Sequence, residues 1–138
     1  MAEILVVEDD PMLGRLWQRA IAGAGHRVRL VTSVGTARRA LMVQQADVIL
    51  LDLNLGAESG LGLVTLASYV NPEVRILIAT GSALFPRGEL FALSPSIAAV
   101  LRKPISVEEI LALIDHHGPA VGAPGAVARG SNITALSA

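Results

Sequence analysis

Near its start the chain reads Ile4-Leu5-Val6-Val7-Glu8-Asp9-Asp10, a short apolar run that ends in acidic residues. A short run of branched apolar residues between polar ones is typical of a strand that is buried on both faces, as in a parallel sheet. Asp10 precedes Pro11, and this pair favours a helix with Asp10 as its N-cap and Pro11 at its first position. The stretch therefore predicts a strand, an acidic turn and a helix, in that order.

The same pattern recurs along the chain. Apolar runs rich in Val, Ile and Leu predict five strands, at residues 3–7, 28–31, 47–51, 74–79 and 97–101. Segments with helical spacing lie between these runs, and this alternation predicts a doubly wound parallel sheet of the α/β class. Between the fourth and fifth strands, Pro86, Gly88 and Pro95 leave room for only about two helical turns. We therefore expect an irregular or shortened fourth helix.

Length and composition limit the classes of protein. The 138 residues are 52% hydrophobic and 17% charged, so we expect a folded core and no long disordered region before the tail. Cysteine is absent, which excludes disulfides and cysteine metal sites. A net charge of -1 and 3% aromatic residues do not favour direct nucleic-acid binding. The apolar runs are too short for a membrane span, and no secretory signal precedes the first strand, so we expect a cytoplasmic protein.

The domain organisation follows from a change in composition near the C-terminus. Residues 1–118 hold all of the predicted strands and helices and are expected to form one domain. Residues 119–138 are mostly Gly, Ala, Pro, Val and Ser without apolar periodicity. We interpret them as a flexible tail or the stub of a linker.

Acidic residues gather where a doubly wound sheet binds its ligands. Glu8, Asp9 and Asp10 follow the first strand, and Asp52 ends the third. Ligands of such sheets bind beyond the carboxyl ends of the strands, so Glu8, Asp9 and Asp52 share a pocket if these strands are neighbours. Clustered carboxylates repel one another unless a cation lies among them, and oxygen ligands suit Mg²⁺. The cluster predicts a Mg²⁺ site, although Asp10 is explained equally well as a helix cap.

Two further side chains fit an anion beside this cluster. Lys103 is the single lysine among eleven Lys and Arg residues, and it follows the fifth strand immediately before Pro104. Its compact ammonium group suits a single anionic oxygen. Thr80 ends the fourth strand and could donate its hydroxyl hydrogen to a phosphate oxygen, although a threonine there is also an ordinary turn residue.

Together these residues resemble the receiver domains of bacterial two-component response regulators. The resemblance covers residues 3–117 and rests on four motifs, namely Ile4-Leu5-Val6-Val7-Glu8-Asp9-Asp10, Val48-Ile49-Leu50-Leu51-Asp52-Leu53, Ala79-Thr80-Gly81 and Lys103-Pro104. It implies a flavodoxin-like sheet with the strand order 2-1-3-4-5. Gly60, eight residues after Asp52, matches the glycine that leads into the third helix of the family.

The resemblance also assigns roles to the site residues. It implies that Asp52 is the phosphoryl acceptor, and that Asp9, Asp52 and the backbone carbonyl of Asn54 bind Mg²⁺ while Glu8 acts through a water. It further implies that Thr80 and Lys103 contact the phosphoryl oxygens. The backbone N–H groups of Leu53 and Gly81 would assist them.

The family also implies partners and a mode of signalling. The phosphoryl donor would be a histidine kinase or a histidine phosphotransfer protein. A downstream protein would bind the face formed by the fourth helix, the fifth strand and the fifth helix. The catalysis expected of the chain is limited to its own phosphorylation and dephosphorylation.

The chain departs from the family pattern at two positions. Val100 stands where members often carry a Tyr or Phe that swings inward, so the usual aromatic coupling is not expected. Gly56 replaces a common proline and loosens its loop. Near the fourth helix, Phe85, Leu90 and Phe91 could dock a partner if exposed, but packing into the core is the preferred interpretation.

Two alternatives remain at the level of sequence. One is a degenerate receiver that binds partners without phosphorylation. The other is a phosphatase of the haloacid dehalogenase type, which also places a nucleophilic Asp after an apolar strand. That class requires a second Asp two residues later, where this chain has Asn54. Whether the domain is free-standing or belongs to a larger protein is left open.

Overall fold

A computed structural model describes residues 1–56, 58–81 and 87–119. The strands are Glu3–Val7 (β1), Arg27–Val31 (β2), Val48–Asp52 (β3), Asn54–Leu55 (β4), Glu58–Ser59 (β5), Arg75–Thr80 (β6) and Ile97–Arg102 (β7). The helices are Pro11–Gly23 (α1), Val34–Val43 (α2), Leu61–Val70 (α3), Arg87–Phe91 (α4) and Val107–His117 (α5). The five predicted strands are present, each within about one residue of its predicted ends.

The main sheet has the order β2-β1-β3-β6-β7, and every neighbouring pair in it is parallel. Counted along the chain, these five strands give the order 2-1-3-4-5 that the resemblance implied. The chain reverses its winding direction between β1 and β3, so the carboxyl ends of these two strands border the crevice where such sheets bind ligands. A small antiparallel pair, β4 and β5, was not predicted from sequence.

Alternate residues of the central strands supply two separate apolar layers. On one side of the sheet, Ile4, Val6, Leu50 and Leu77 pack with residues of α1 and α5. On the other side, Leu5, Val7, Ile49, Leu51, Ile76 and Ile78 pack with residues of α2, α3 and α4. Burial on both faces explains why these strands read as continuous apolar runs and not as alternating ones.

Side-chain caps fix the starts of three helices. Asp10 Oδ1 accepts hydrogen bonds from the backbone N–H groups of Met12 and Leu13 at 3.0 and 3.4 Å. Ser33 and Thr36 form a reciprocal capping box at α2, and Ser106 Oγ accepts from the N–H of Glu109 at α5. Asp10 therefore serves as the cap of α1, one of the two roles that the sequence left open for it.

The fourth helix is short, as expected. In the described part of the chain α4 spans five residues, and Leu90 is buried in the core while Phe91 is 43% exposed. Phe85 and the tail from residue 120 onward lie outside the described residues, so the proposed docking role of Phe85 and the boundary at residue 118 stay predictions. No helix within residues 1–56, 58–81 and 87–119 combines the length and apolarity that a membrane span needs.

Candidate functional site

The carboxyl ends of β1 and β3 bring the predicted acidic residues together. Val7 pairs with Leu51 in the sheet, so the residues that follow each of them emerge side by side. One carboxylate oxygen from each of Glu8, Asp9 and Asp52 lies within 4.8 Å of the others. Glu8 and Asp52 are buried, whereas Asp9 is exposed. Of these three side chains, Asp9 is therefore the one that faces solvent.

Lys103 reaches this cluster from the end of β7. Its Nζ lies 2.8 Å from Glu8 Oε1 and 3.2 Å from Asp52 Oδ2. Its backbone N–H donates to the carbonyl of Thr80 at 2.9 Å, which aligns the end of β7 with the end of β6. The peptide bond between Lys103 and Pro104 is cis. The single lysine thus lies between two buried carboxylates, and its contact with a phosphoryl oxygen stays a prediction.

Burial, hydrogen bonds and neighbouring charges shift the pKa values of Glu8, Lys103 and Asp9. Burial raises the pKa of Glu8 to about 7, although the hydrogen bond from Lys103 acts in the opposite direction. Burial alone would lower the pKa of Lys103, but its hydrogen bond to Glu8 and the charge of Asp52 outweigh burial and raise it. Slight burial opposes ionisation of Asp9, yet its interaction with Glu8 and the hydrogen bond from the Gly56 N–H lower its pKa. Lys103 therefore stays charged at neutral pH, and Asp9 stays a carboxylate.

The loop after β3 holds two of the carboxylates through backbone N–H groups. The N–H of Asn54 donates to Asp52 Oδ1 at 3.0 Å, and the N–H of Gly56 donates to Asp9 Oδ2 at 2.8 Å. Gly56 has a φ of 65°, a conformation that glycine adopts without strain. The glycine that replaces the family's proline therefore supplies a donor that proline lacks.

Other predicted site residues lie near the cluster. Thr80 is buried at the end of β6, and Gly81 follows it as an exposed residue. The N–H of Leu53 was expected to assist the phosphoryl contacts. In this structure it donates to the carbonyl of Ala79 at 3.1 Å and extends the hydrogen-bond ladder between β3 and β6. In this structure it is therefore engaged in the sheet. The metal role of the Asn54 carbonyl stays a prediction.

Sequence reasoning missed one neighbour of the site. Trp17 on α1 is buried, and the Lys103 ammonium lies 5.8 Å from the centroid of its ring. A cation at this distance over an aromatic face is attracted by the ring's electron density. A tryptophan on the apolar face of a helix gives no signal in sequence that separates such a contact from ordinary core packing.

The donor set fits a small, hard cation. Carboxylate oxygens are the ligands that Mg²⁺ and Ca²⁺ prefer, and three of them converge here without sulfur or imidazole donors among the described residues. Lys103 forms ion pairs with Glu8 and Asp52 and so offsets only part of the negative charge of the three carboxylates. The cluster can therefore hold a divalent metal ion.

Comparison with known proteins identifies the family. The model of the response regulator receiver domain matches residues 4–115. The regulatory protein VirG of Agrobacterium fabrum is 30% identical over 114 residues, which cover 83% of this chain and 45% of VirG. The response regulator receiver protein CpdR of Brucella abortus is 27% identical, over 80% of this chain and 92% of CpdR. The chain belongs to the response regulator receiver domain family, and it spans about half the length of the VirG relatives that it matches.

Solved structures agree with this assignment. One is a response regulator protein from Burkholderia pseudomallei with a phosphorylated aspartic acid, a calcium ion and citrate. Its TM-score is 0.72 at 24% sequence identity, and the match covers 100% of this chain and 74% of that one. The receiver domain of a sensor histidine kinase from Pseudomonas aeruginosa, with a magnesium ion in its active site cleft, has a TM-score of 0.72 at 26% identity, over 84% of this chain and 96% of that one. This chain is a phosphoacceptor signalling domain of the two-component type.

Proposed function

We propose that Asp52 accepts the phosphoryl group, in a reaction that requires Mg²⁺. One observation carries this assignment: the Asp52 carboxylate is buried, lies 3.2 Å from the Lys103 ammonium and shares a pocket with Glu8 and Asp9. A carboxylate can attack phosphorus directly, and phosphoryl transfer depends mainly on positioning and on neutralising charge. The pocket supplies the nucleophile and a fixed cation.

The transfer is a displacement at phosphorus. An oxygen of Asp52 forms a bond to the phosphorus of a phosphohistidine, the phosphorus–nitrogen bond breaks, and the imidazole nitrogen leaves with the electron pair of that bond. The product is an acyl phosphate on Asp52. Asp9, Asp52 and the Asn54 carbonyl would hold Mg²⁺, with Glu8 acting through a water, and the bound ion would neutralise charge on the phosphoryl oxygens.

Lys103 and Thr80 bind the new phosphoryl group in this proposal. Lys103 already forms an ion pair with Asp52. Its ammonium can therefore shift its contact from the Asp52 carboxylate to a phosphoryl oxygen while it keeps the ion pair with Glu8. The Thr80 hydroxyl at the neighbouring strand end donates a second hydrogen bond. Val100 is buried and carries no ring, so the resulting movement near Thr80 reaches the surface without an aromatic switch at that position.

The partners follow from the two-component family. A histidine kinase or histidine phosphotransfer protein donates the phosphoryl group, in the cytoplasm. A downstream protein binds the face of α4, β7 and α5, where the partly exposed Phe91 lies near the end of α4. The chain turns over no other substrate, and direct binding to nucleic acid or membrane is not part of its function.

The two alternatives are less well supported by the site. A degenerate receiver would not need a lysine held between two buried carboxylates. Burying these charges costs desolvation free energy, which a binding module without phosphorylation has no reason to spend. A phosphatase of the haloacid dehalogenase type needs an acid two residues after the nucleophile, and the residue there is the amide Asn54. Unchanged partner affinity in Asp52→Asn would favour the first alternative, and hydrolysis of an added phosphate ester would favour the second.

Phosphorylation by acetyl phosphate tests the assignment of Asp52. We expect the wild-type chain to gain the mass of one phosphoryl group in the presence of Mg²⁺ and to gain none when EDTA removes the metal. Asp52→Asn should gain none in either case. Asp115→Asn, an exposed aspartate on α5, is the matched control and should react as the wild type does. An adduct on both Asp52→Asn and the wild type, or on neither, would contradict the proposal.

A further inference from the structure

An apolar groove lies between α2 and α3, away from the acidic cluster. It has a volume of about 500 Å³ and is lined by Arg38, Met42, Gly62, Thr65, Leu66 and Tyr69. Met42 is 66% exposed and Tyr69 is 84% exposed. A large aromatic ring and a flexible thioether that both face solvent beside an apolar groove are typical of a surface that another molecule covers.

The helix that forms one wall of the groove has no charged side chain. The ten residues of α3 contain no Asp, Glu, Lys or Arg, although Gly62, Thr65 and Tyr69 on this helix are exposed. A surface helix of a globular protein normally carries charged or polar residues on its outer face, whereas a helix that is apolar nearly all round is normally covered. The outer face of α3 is therefore better suited to contact with a protein than with water.

The other wall of the groove is basic. The charged residues of α2 are Arg38 and Arg39, both exposed, and α2 contains no acidic residue. Among the described residues, no carboxylate lies within ion-pair distance of either arginine. Of the two, Arg38 lines the groove and Arg39 lies next to it on α2. The groove thus combines an apolar floor with one positive charge that has no carboxylate partner in the described part of the chain. This charge pattern is complementary to an acidic, apolar ligand.

We propose that the groove between α2 and α3 binds an amphipathic helix with acidic flanks, supplied by a partner protein. The α3 residues that line the groove are Gly62, Thr65, Leu66 and Tyr69, which follow the i, i+3, i+4, i+7 spacing of one helix face. Such a face accepts the apolar stripe of a helix from a partner, and Arg38 then pairs with a carboxylate of that helix. A symmetric contact with a second copy of this chain is disfavoured, because it would bring the same positive charges together.

This surface is separate from the phosphoryl acceptor. The groove-lining residues include none of the acidic cluster and none of Thr80, Lys103 or their neighbours. Binding to the groove therefore does not require a functional Asp52. The inference and the proposed phosphorylation can fail independently of each other.

Titration with a designed peptide tests the proposal. The probe is a short helical peptide with Leu and Met on one face and Glu along both flanks, and the control peptide keeps that face but carries Lys on the flanks. Added to the full 138-residue chain, labelled with ¹⁵N, the acidic peptide should shift amide resonances of α2 and α3. The basic peptide should bind about tenfold more weakly or worse, because its lysines face Arg38 in the groove. Asp52→Asn should bind the acidic peptide as the wild type does.

Substitutions locate the contact. Tyr69→Asp and Arg38→Glu change exposed side chains and should each weaken binding of the acidic peptide by about tenfold or more. Leu16→Asp and Arg15→Glu make the same kinds of change on the exposed face of α1 and should leave binding unchanged. Failure of the acidic peptide to bind, binding that these groove variants do not weaken, or shifts confined to other elements would overturn the proposal. Dimerisation of the chain that Tyr69→Asp abolishes would overturn it as well and assign the groove to a second copy.

Discussion

Lys103 combines a charge that phosphoryl transfer needs with an apolar support. Its ammonium contacts Glu8 and Asp52 and lies over the ring of Trp17. Trp17 is 1% exposed, and its Nε1–H has no hydrogen-bond partner among the described residues. Leaving a buried donor unpaired costs about 1–3 kcal/mol, so packing and the contact with the cation must offset that cost. The ring limits the directions in which the lysine side chain can move.

Replacing Trp17 should affect both stability and the site. Trp17→Leu leaves a cavity, and we expect the free energy of unfolding in urea to fall by about 2–4 kcal/mol. Its phosphorylation by acetyl phosphate should also slow, because Lys103 loses the aromatic face that supports it. Trp17→Phe keeps a ring and should recover most of the rate. If folded Trp17→Leu reacted as fast as the wild type, the ring would have no role in positioning Lys103.

A histidine near the N-terminus should make stability depend on pH. The backbone N–H of Ala2 donates to His26 Nδ1 at 3.1 Å, and burial lowers the pKa of His26 below its ordinary value of 6.5. In acid the unfolded chain therefore takes up a proton at His26 before the folded chain does. Stability is full above about pH 6.5 and falls as the pH drops through the lower pKa of the folded state.

His26→Asn tests this linkage, because the Asn oxygen can accept the same hydrogen bond without titrating in this range. We expect urea denaturation to show a smaller loss of stability for His26→Asn than for the wild type between about pH 7.5 and about pH 5.5. Burial also lowers the pKa of His117, but this contribution is common to both proteins and cancels in the difference. Equal losses in the two proteins would contradict the prediction.

Among the elements, the junction between the loop after β3 and α3 requires glycine for reasons of space. Gly60 has a φ of -77°, which any residue adopts, and its N–H donates to the carbonyl of Leu53 at 2.8 Å. A Cβ at this position would lie 2.9 Å from the backbone oxygen of Asp52 and 3.2 Å from Leu51 Cδ1. The glycine therefore allows α3 to begin directly against the acceptor strand.

Gly60→Ala should disturb the acceptor, because the carbonyl of Asp52 belongs to the sheet and cannot move alone. We expect a loss of about 1–3 kcal/mol in unfolding free energy and slower phosphorylation by acetyl phosphate. Gly62→Ala is the control, since nothing lies within 4 Å of a Cβ there. It should retain the wild-type rate and stability or gain up to about 1 kcal/mol from helix propensity. Similar behaviour of the two variants would show that space at Gly60 is not limiting.

At the scale of the whole molecule, the site joins the ends of four parallel strands. Glu8 and Asp9 follow β1, Asp52 ends β3, Thr80 ends β6 and Lys103 follows β7. A cation bound there is held only by the folded chain, because the unfolded chain separates these residues. Metal binding should therefore stabilise the entire fold.

Thermal unfolding with and without Mg²⁺ measures this coupling. At a Mg²⁺ concentration about ten times the dissociation constant, binding adds about 1.4 kcal/mol, and Tm should rise by about 3–6 °C. Asp9→Asn removes one carboxylate of the cluster and should lose most of this shift. Asp115→Asn should keep it, and NaCl at matched ionic strength should not reproduce it. A shift that Asp9→Asn retains in full would place the metal elsewhere.

The sequence by itself determined the class of fold, the strands and the charged residues at the carboxyl ends of those strands. The central strands β1, β3 and β6 are buried on both faces, so each of them left an apolar run that can be recognised without the rest of the chain. Asp52 ends one such run, and Lys103 follows the run of β7. The sequence left the role of Asp10 open, and the hydrogen bonds it accepts from Met12 and Leu13 decide in favour of a helix cap.

Only the tertiary structure decided how distant residues meet. Lys103 and Glu8 are 95 positions apart, yet their side chains are 2.8 Å from each other. The support of Lys103 by Trp17, the pair of β4 and β5, and the groove between α2 and α3 likewise depend on the packing of separate elements. Local patterns record which face of an element is buried, but not which side chain of another element covers it, and that choice is made by the packing of the whole chain.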